Sequence, residues 1–425
     1  MMKRTLAREL PAAEGRQVTV SGWVHRIREL GAVNFILLRD RSGIMQLVLN
    51  DAHEITLESV LEVRGTVQKN DKAPAGFELA VEKLTVLSAA APDITFPVNQ
   101  NPDKAGLDAL LDNRMISLRN PKILNIFRIQ SGIIHYFQEY LRKEDFTEIK
   151  TSKLIGSGTE GGTGLFEVNY FDSTLFLAQS PQFYKQAMIA SGLERVFEVA
   201  PAYRAEKHDT PRHLNEYVSL DVEMAYIRDE TDLMDLECGI LSAIFTGLRN
   251  EHGKILAEYD AALPDPETIH AIPRLAHEEA RAIVSKKKGQ KVFEINPEGE
   301  RLLCAWAQEE HGIDAVFIHS FPRRKRPFYT YPDGRKTKSF DLIFRGLEIT
   351  TGGQRINDYT MMLETLPAFG LSESGLGAYM DIFRFGCPPH GGFAIGLERL
   401  TQKILGLSNV KEASLFPRDR KRVSP

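Results

Sequence analysis

In this 425-residue chain the densest group of residues able to do chemistry is Arg204 to Glu223, a charged loop between two strand-like segments. Before the loop, Glu198, Ala200, Ala202, Arg204 and Glu206 alternate onto one side, with Phe197, Val199 and Tyr203 on the other. After it, Tyr217, Ser219, Asp221 and Glu223 share a face, and Val218, Leu220, Val222, Met224 and Tyr226 take the opposite one. Apolar faces against helices and polar faces toward a ligand make a platform suited to a nucleotide. A second segment, Gly391 to Leu400, pairs glycines that permit close backbone approach with Arg399 on the first turns of a helix.

Three further groups belong beside these. Gln179 to Lys185 follows an apolar strand, Leu175 to Ala178; Ser180 reads as an N-cap and Pro181 as the first helical position. Gln182 and Lys185 then stand three apart on one helix face, and Gly352-Gly353-Gln354-Arg355 supplies a second cation. Ser339 to Ile349 reads as a hairpin turning at Arg345-Gly346, which sets Ile343 opposite Glu348 and points Asp341 and Glu348 to one face. Two such carboxylates beside a triphosphate suit a hard cation, Mg²⁺. The stretch from Gly156 to Gly164 has five glycines in nine residues, as a lid over a bound small molecule would need.

The length allows two or three domains, and 43% hydrophobic with 26% charged residues is the composition of an ordinary globular protein. A net charge of −4 does not announce a nucleic-acid binder, so RNA contact would rest on local patches. Candidate patches are Arg26, Arg28, Arg39 and Arg41, then Arg323 to Arg326, then Arg418 to Arg422. Three separated cysteines offer no disulfide framework, and Cys387-Pro-Pro-His390 has no partner pair for zinc. No apolar run approaches membrane-spanning length and no signal peptide is evident, so a cytoplasmic, membrane-free protein is expected. Gln17 to Leu87 reads as five short strands, a small barrel of oligonucleotide-binding type, with Trp23, Phe35 and neighbouring arginines suited to single-stranded RNA. Ser88 to Asn101 reads as a linker.

The Arg204–Glu223 and Gly391–Leu400 segments resemble motifs 2 and 3 of the class II aminoacyl-tRNA synthetases. Lys122 to Ser152 resembles motif 1, with Ser152 where that family usually has Pro. Barrel, motifs and the Leu415–Pro425 terminus together resemble the aspartyl-tRNA synthetases in their compact archaeal-type form. The resemblance implies an α+β protein: an OB-fold anticodon-binding domain over 1–90, a linker or hinge over 91–120, and a class II catalytic domain over 121–425. That domain would be an antiparallel sheet flanked by helices, dimerising through motif 1.

It also implies residue roles. Arg204 would hold the α-phosphate of ATP, Arg399 with His213 the outer phosphates, and Glu206 with Tyr217 the adenine. Arg212, Leu214, Glu348 and Gly396 would complete the ATP site. Aspartate would be held by Lys185 and Arg355 on its side chain and Asp221 on its ammonium, with Gln182, Arg204, Thr351 and Glu160 around it. Asp341, Glu348 and Thr351, the last at a position usually Ser, would hold Mg²⁺; Thr351 reaches that face only if the chain bends near Gly352. A buried cationic pair favours aspartate over asparagine, whose amide leaves it poorly paired. The anticodon would meet Trp23, His25, Arg26, Phe35, Gln46 and Pro74. His25 and Pro74 stand where discriminating relatives tend to have Trp and Lys, so the resemblance points to charging of both tRNA(Asp) and tRNA(Asn), with a tRNA-dependent amidotransferase acting afterwards. The alternatives are a strictly discriminating aspartyl enzyme, an asparaginyl enzyme and a non-catalytic RNA-binding paralogue.

Overall fold

A computed structural model describes residues 4–30, 33–49, 55–156, 158 and 164–425, in two compact units, Met1–Ile123 and Leu124–Pro425. In the first unit, alternation along Gln17–Leu30 turns Val18, Val20 and Val24 inward, and the same period along the other strands adds Ile36, Leu38, Met45, Leu47, Leu61, Val63 and Leu79. These residues fill a closed five-stranded barrel of strands Gln17–Leu30, Val33–Asp40, Gly43–Leu49, Phe77–Ser88 and Val60–Lys69, in that order around it. Closure puts backbones in tight contact: a Cβ on Gly22 would lie 2.3 Å from the Arg39 carbonyl oxygen. The Gln17–Leu30 strand skips one partner between Val24 and Arg26, so His25 is a bulge residue. Within the stretch read as linker or hinge, Leu107–Asp112 and Arg114–Ser117 are short helices.

The second unit is built on an eight-stranded sheet. Its order is Arg274–Ala276, Ala315–His319, Ser339–Phe344, Leu347–Gln354, His390–Gly396, Glu216–Ala225, Arg195–Tyr203 and Thr147–Glu148. The six central strands are antiparallel, and the short strand at each edge pairs parallel to its neighbour, so the sheet is mixed at its rims. One face carries Phe197, Leu220, Val222, Phe317, Phe340, Leu342 and Phe393, packed with residues of the helices Pro121–Lys143, Glu230–Glu258 and Leu397–Leu405. Apolar matter on that side leaves Ser219, Asp221 and Glu223 to face the other.

The hairpin turn falls at Arg345-Gly346, with φ of +49° and +72°, and pairs Ile343 with Glu348. A non-glycine residue at positive φ needs support: Arg345 receives it from its own amide to the Asp314 carbonyl at 2.9 Å and its guanidinium to the Lys403 carbonyl at 2.8 Å.

Candidate functional site

Register across the central strands sets out the site. Glu198 pairs with Asp221, Asp221 with Ala394, Ala394 with Thr351 and Thr351 with Asp341, a single row over five strands. The next row but one joins Glu223, Gly392, Gly353 and Ser339. A Cβ on Gly392 would lie 2.2 Å from Glu223 Oε2, so glycine there makes room for that carboxylate. Above this floor opens a cavity of about 1090 Å³, counting space open to solvent. Gln182, Lys185, Arg204, Glu206, Arg212, His213, Leu214, Tyr217, Asp221, Glu348, Thr351, Arg355, Gly396 and Arg399 all line it. Glu160 lies outside the described residues, as does most of the glycine-rich loop around it.

At one end of the cavity Lys185 and Arg355 converge on a residue given no role above. Glu223, fully buried, takes Lys185 Nζ at 3.1 Å on Oε2 and Arg355 Nε at 3.0 Å on Oε1. Burial alone would raise the Glu223 carboxyl, but the Arg355 and Lys185 charges outweigh it and hold the group below the usual carboxylate range. Lys185 also reaches Asp221 Oδ1 at 3.1 Å, while Asp221 Oδ2 is buried with no hydrogen-bond partner. Two cations and two carboxylates cancel, and one acceptor is left over. Gln182 and Lys185 do share a buried helix face, but the helix runs Gln182–Met188 with Pro181 as its cap residue. Ser180 Oγ accepts from the Gln182 amide at 3.3 Å, a local turn one residue before the helix.

Glu348 and Thr351 line the same cavity, and Asp341, a buried residue paired with Thr351 across the strands, is not among its lining residues. The chain does not bend at Gly352; instead Leu342 pairs with Thr350 and Ile343 with Glu348, leaving Ile349 as an inserted bulge residue. One extra residue swaps the faces of everything beyond it, which puts Thr351 beside Asp341 and on the same side as Glu348. Thr351 Oγ1 donates to Glu348 Oε1 at 3.3 Å. From the back of the sheet Thr350 Oγ1 donates to Glu237 Oε1 at 2.6 Å, and burial pushes the Glu237 carboxyl up to about 8.

Asp341 Oδ2 lies 2.8 Å from Arg326, and Oδ1 is buried without a hydrogen-bond partner. Burial pushes the Asp341 carboxyl up to about 6, Arg326 opposing and Glu348 reinforcing. Two carboxylates and a hydroxyl, with one buried oxygen unsatisfied, are donors that fit a hard divalent cation. Arg326, read above as part of a surface basic patch, instead turns in beside Asp341, its side chain 9% exposed and its guanidinium 3.7 Å from the Phe321 ring centre.

The cations of the loop and helix line the same cavity. The Arg204 guanidinium sits 5.6 Å from the Tyr217 ring centre. Arg399 donates to the Glu348 carbonyl at 2.9 Å and the Arg212 carbonyl at 3.3 Å, and Arg212 is held by Glu300 Oε2 at 2.6 Å. His213 Nε2 is 3.5 Å from Glu206. Burial lowers the His213 imidazole, Glu206 opposing and Arg399 and Arg212 reinforcing, so it is neutral near pH 7. Glu300 left no sequence signal of its own, whereas the alternation placed Glu223 on the polar face without revealing that it pairs with Arg355 and Lys185.

On the barrel, Met45 and Leu47 point inward, so Gln46 points outward with its cross-strand neighbours Leu37 and Glu78. Phe35 and Arg28 form the neighbouring pair, and Trp23 pairs with Arg39. Trp23, Arg26 and Arg28 are exposed and Phe35 is half-buried. Gln46 is buried and donates to Glu78 at 2.8 Å; Pro74 opens a short turn just before Glu78. Arg39, counted above among RNA-facing cations, is buried in a two-pronged bond with Glu58 at 2.9 and 2.8 Å, and its guanidinium meets His25 Nδ1 at 3.1 Å. Among the described residues no helix is long and apolar enough to cross a membrane.

Comparison with known proteins places the fold in a family. Residues 106–420 match the family of class II tRNA synthetases (D, K and N), and residues 18–87 match the OB-fold nucleic acid binding domain. The chain is 47% identical to an aspartate-tRNA(Asp/Asn) ligase of Thermus thermophilus, over 99% of this chain and 100% of the relative. It is 40% identical to an aspartate-tRNA(Asp) ligase of Pyrococcus horikoshii over 97% of each. A crystal structure of asparaginyl-tRNA synthetase from Pyrococcus horikoshii with asparaginyl-adenylate superposes with a TM-score of 0.92, at 31% identity over 100% of both chains.

Proposed function

The chain belongs to the class II tRNA synthetases of the aspartate, lysine and asparagine group, and from that premise we propose that it charges both tRNA(Asp) and tRNA(Asn) with aspartate. It is an aspartate-tRNA ligase, working in two steps at the expense of ATP. The observation that carries aspartate is the Lys185–Glu223–Arg355 cluster. A substrate β-carboxylate accepts from both cations, whereas an asparagine amide turns an N–H donor toward them and leaves a buried charge unpaired. The spare Asp221 oxygen accepts the substrate ammonium.

Aspartate's α-carboxylate oxygen then bonds to the α-phosphorus as the bond to the bridging oxygen breaks and pyrophosphate leaves. No side chain acts as nucleophile, so catalysis is positioning and charge neutralisation. Arg204 is assigned to the α-phosphate, Arg399, Arg212 and His213 to the outer phosphates, and Glu206 and Tyr217 to the adenine, with Leu214 and Gly396 shaping the walls. Asp341, Glu348 and Thr351 would hold Mg²⁺, whose charge would neutralise the phosphate oxygens. In the second step the terminal ribose 3′-hydroxyl of the tRNA bonds to the activated carbonyl carbon, and AMP leaves.

Residues 1–90 are assigned to the anticodon, 91–120 to the connection and 121–425 to catalysis. The enzyme is assigned to the cytoplasm as a homodimer through the Pro121–Lys143 helix. Relaxed tRNA choice is supported by His25 and Pro74 and by the Asp/Asn name of the Thermus relative. Asp-tRNA(Asn) made in this way requires an amidotransferase downstream. The test is aminoacylation of the two purified tRNAs side by side with aspartate: both are expected to be charged. Charging of tRNA(Asp) alone would leave a discriminating enzyme, and ATP–pyrophosphate exchange driven by asparagine instead of aspartate would overturn the amino-acid assignment.

A further inference from the structure

Arg212 and His213 stand on a segment, 204–215, that has no helix or strand of its own, yet they must face Arg399 across the phosphate end of the cavity. Beside the Arg212–Glu300 bond and the Asn215 side-chain bonds to the Arg204 and Glu206 carbonyls, the carboxyl-terminal tail braces this segment. The Asn215 amide donates to the Arg418 carbonyl at 2.8 Å, the Val410 amide donates to the Pro211 carbonyl at 2.9 Å, and Glu216 bridges to Arg418. At the centre is Lys411, on the short turn Val410–Ala413 just beyond the Leu397–Leu405 helix that carries Arg399. Its Nζ lies 2.8 Å from Asp209 Oδ1, on the loop, and 2.6 Å from Asp419 Oδ2, on the tail. Asp419 is itself fixed, its Oδ1 accepting from the Lys421 and Arg422 amides at 2.7 and 2.8 Å.

The side chains of Lys411 and Asp419 are 13% and 5% exposed, so solvent screens this pair far less than an ordinary surface bridge. Lys411 lowers Asp209 through its hydrogen bond and charge; burial would raise Asp419, but Lys411 together with the Arg422 and Lys421 amides outweighs it and lowers the group.

We propose that Lys411 is a positioning residue for ATP, clamping Asp209 of the loop to Asp419 of the tail so that Arg212 and His213 are held against Arg399. The inference rests on the assignment of this cavity to ATP. Lys411 touches neither the amino-acid end nor any group assigned to the substrates, so its loss weakens nucleotide handling selectively.

The test combines Lys411→Met, Lys411→Arg and Asp209→Asn in the full chain. Two readouts are used: hydrogen exchange of peptides spanning 205–215, and steady-state ATP–pyrophosphate exchange. Lys411→Met is expected to lose protection in 205–215 and to raise KM for ATP by about tenfold, leaving KM for aspartate within about twofold, as misplacement of a positioned group does. Asp209→Asn should reproduce this, the double variant should add little to either single one, and Lys411→Arg should restore most of the ATP affinity. Unchanged protection and unchanged KM for ATP in both single variants overturn the clamp. So does a parallel rise in both KM values that arginine does not rescue, since that is general loosening. If the unmodified chain shows no aspartate-dependent exchange, the cavity assignment fails, and protection of 205–215 alone then decides whether Lys411 holds the loop.

Discussion

Glu223 is a carboxylate inside a pocket that must attract a carboxylate, and its position resolves the conflict. Without it, Lys185 and Arg355 would repel one another in a buried space; with it they are held convergent beside the cavity they line. Glu223→Gln keeps the shape but removes the shared anion. It is expected to destabilise the fold by about 3 kcal/mol, read from the urea midpoint, because it takes the buried carboxylate away from Arg355 and leaves Lys185 with Asp221 alone. It should also cut kcat/KM for aspartate in pyrophosphate exchange by about a hundredfold; an unaltered denaturation midpoint would contradict the account. The alternation from Tyr217 to Glu223 was legible in the sequence, as were the two cations. Glu223's partners were not, since Arg355 lies 132 positions away and no local pattern records such a pairing. The same holds for Arg39 and Arg326, which in the sequence look like any surface arginine until Glu58 and Asp341 are found beside them.

At the level of the strand, a one-residue bulge does what the turn and the alternation do not. The Arg345-Gly346 turn was legible because so few residues tolerate its backbone angles, and it correctly paired Ile343 with Glu348. Ile349 carries no such mark; an inserted isoleucine reads like any strand isoleucine, so the placement of Thr351 was out of reach. Glu237 fastens this irregularity from the Glu230–Glu258 helix through Thr350. Its buried carboxyl keeps a proton up to about pH 8, while in the unfolded chain it releases one near its ordinary value of 4.5. The native state thus binds more protons between these values, and stability contributed by this group falls as pH rises from 4.5 to 8. Glu237→Gln should flatten that decline: Tm measured at pH 5 and at pH 8 should differ less than in the unmodified chain. An identical pH dependence in both proteins would show that the group is ionised in the folded state.

Taken as a whole, the molecule has two compact units, and its fold is shared with a synthetase named for asparagine, so the proposed amino-acid and tRNA choices must rest on side chains. Barrel and sheet were legible from their period-two patterns, whereas the parallel edge strands, two and three residues long, were too short to read. Division of labour predicts separable effects. The double substitution His25→Trp, Pro74→Lys should reduce aspartylation of tRNA(Asn) by about tenfold or more, the scale of a regained base-specific donor, while aspartate-dependent pyrophosphate exchange is unchanged. Equal loss on both tRNAs would instead mean a barrel that no longer folds or docks. The row Asp221, Ala394, Thr351 spans three adjacent strands, and strands in a sheet lie about 4.8 Å apart, so the residue proposed for the ammonium and the one proposed for the metal are separated by a backbone span of roughly 10 Å. Such a floor is a ruler that side-chain motion cannot lengthen. Glutamate, one methylene longer, can seat its ammonium or its distal carboxylate but not both while its reacting oxygen stays in line with phosphorus, and its rate in pyrophosphate exchange measures how strictly the backbone enforces chain length.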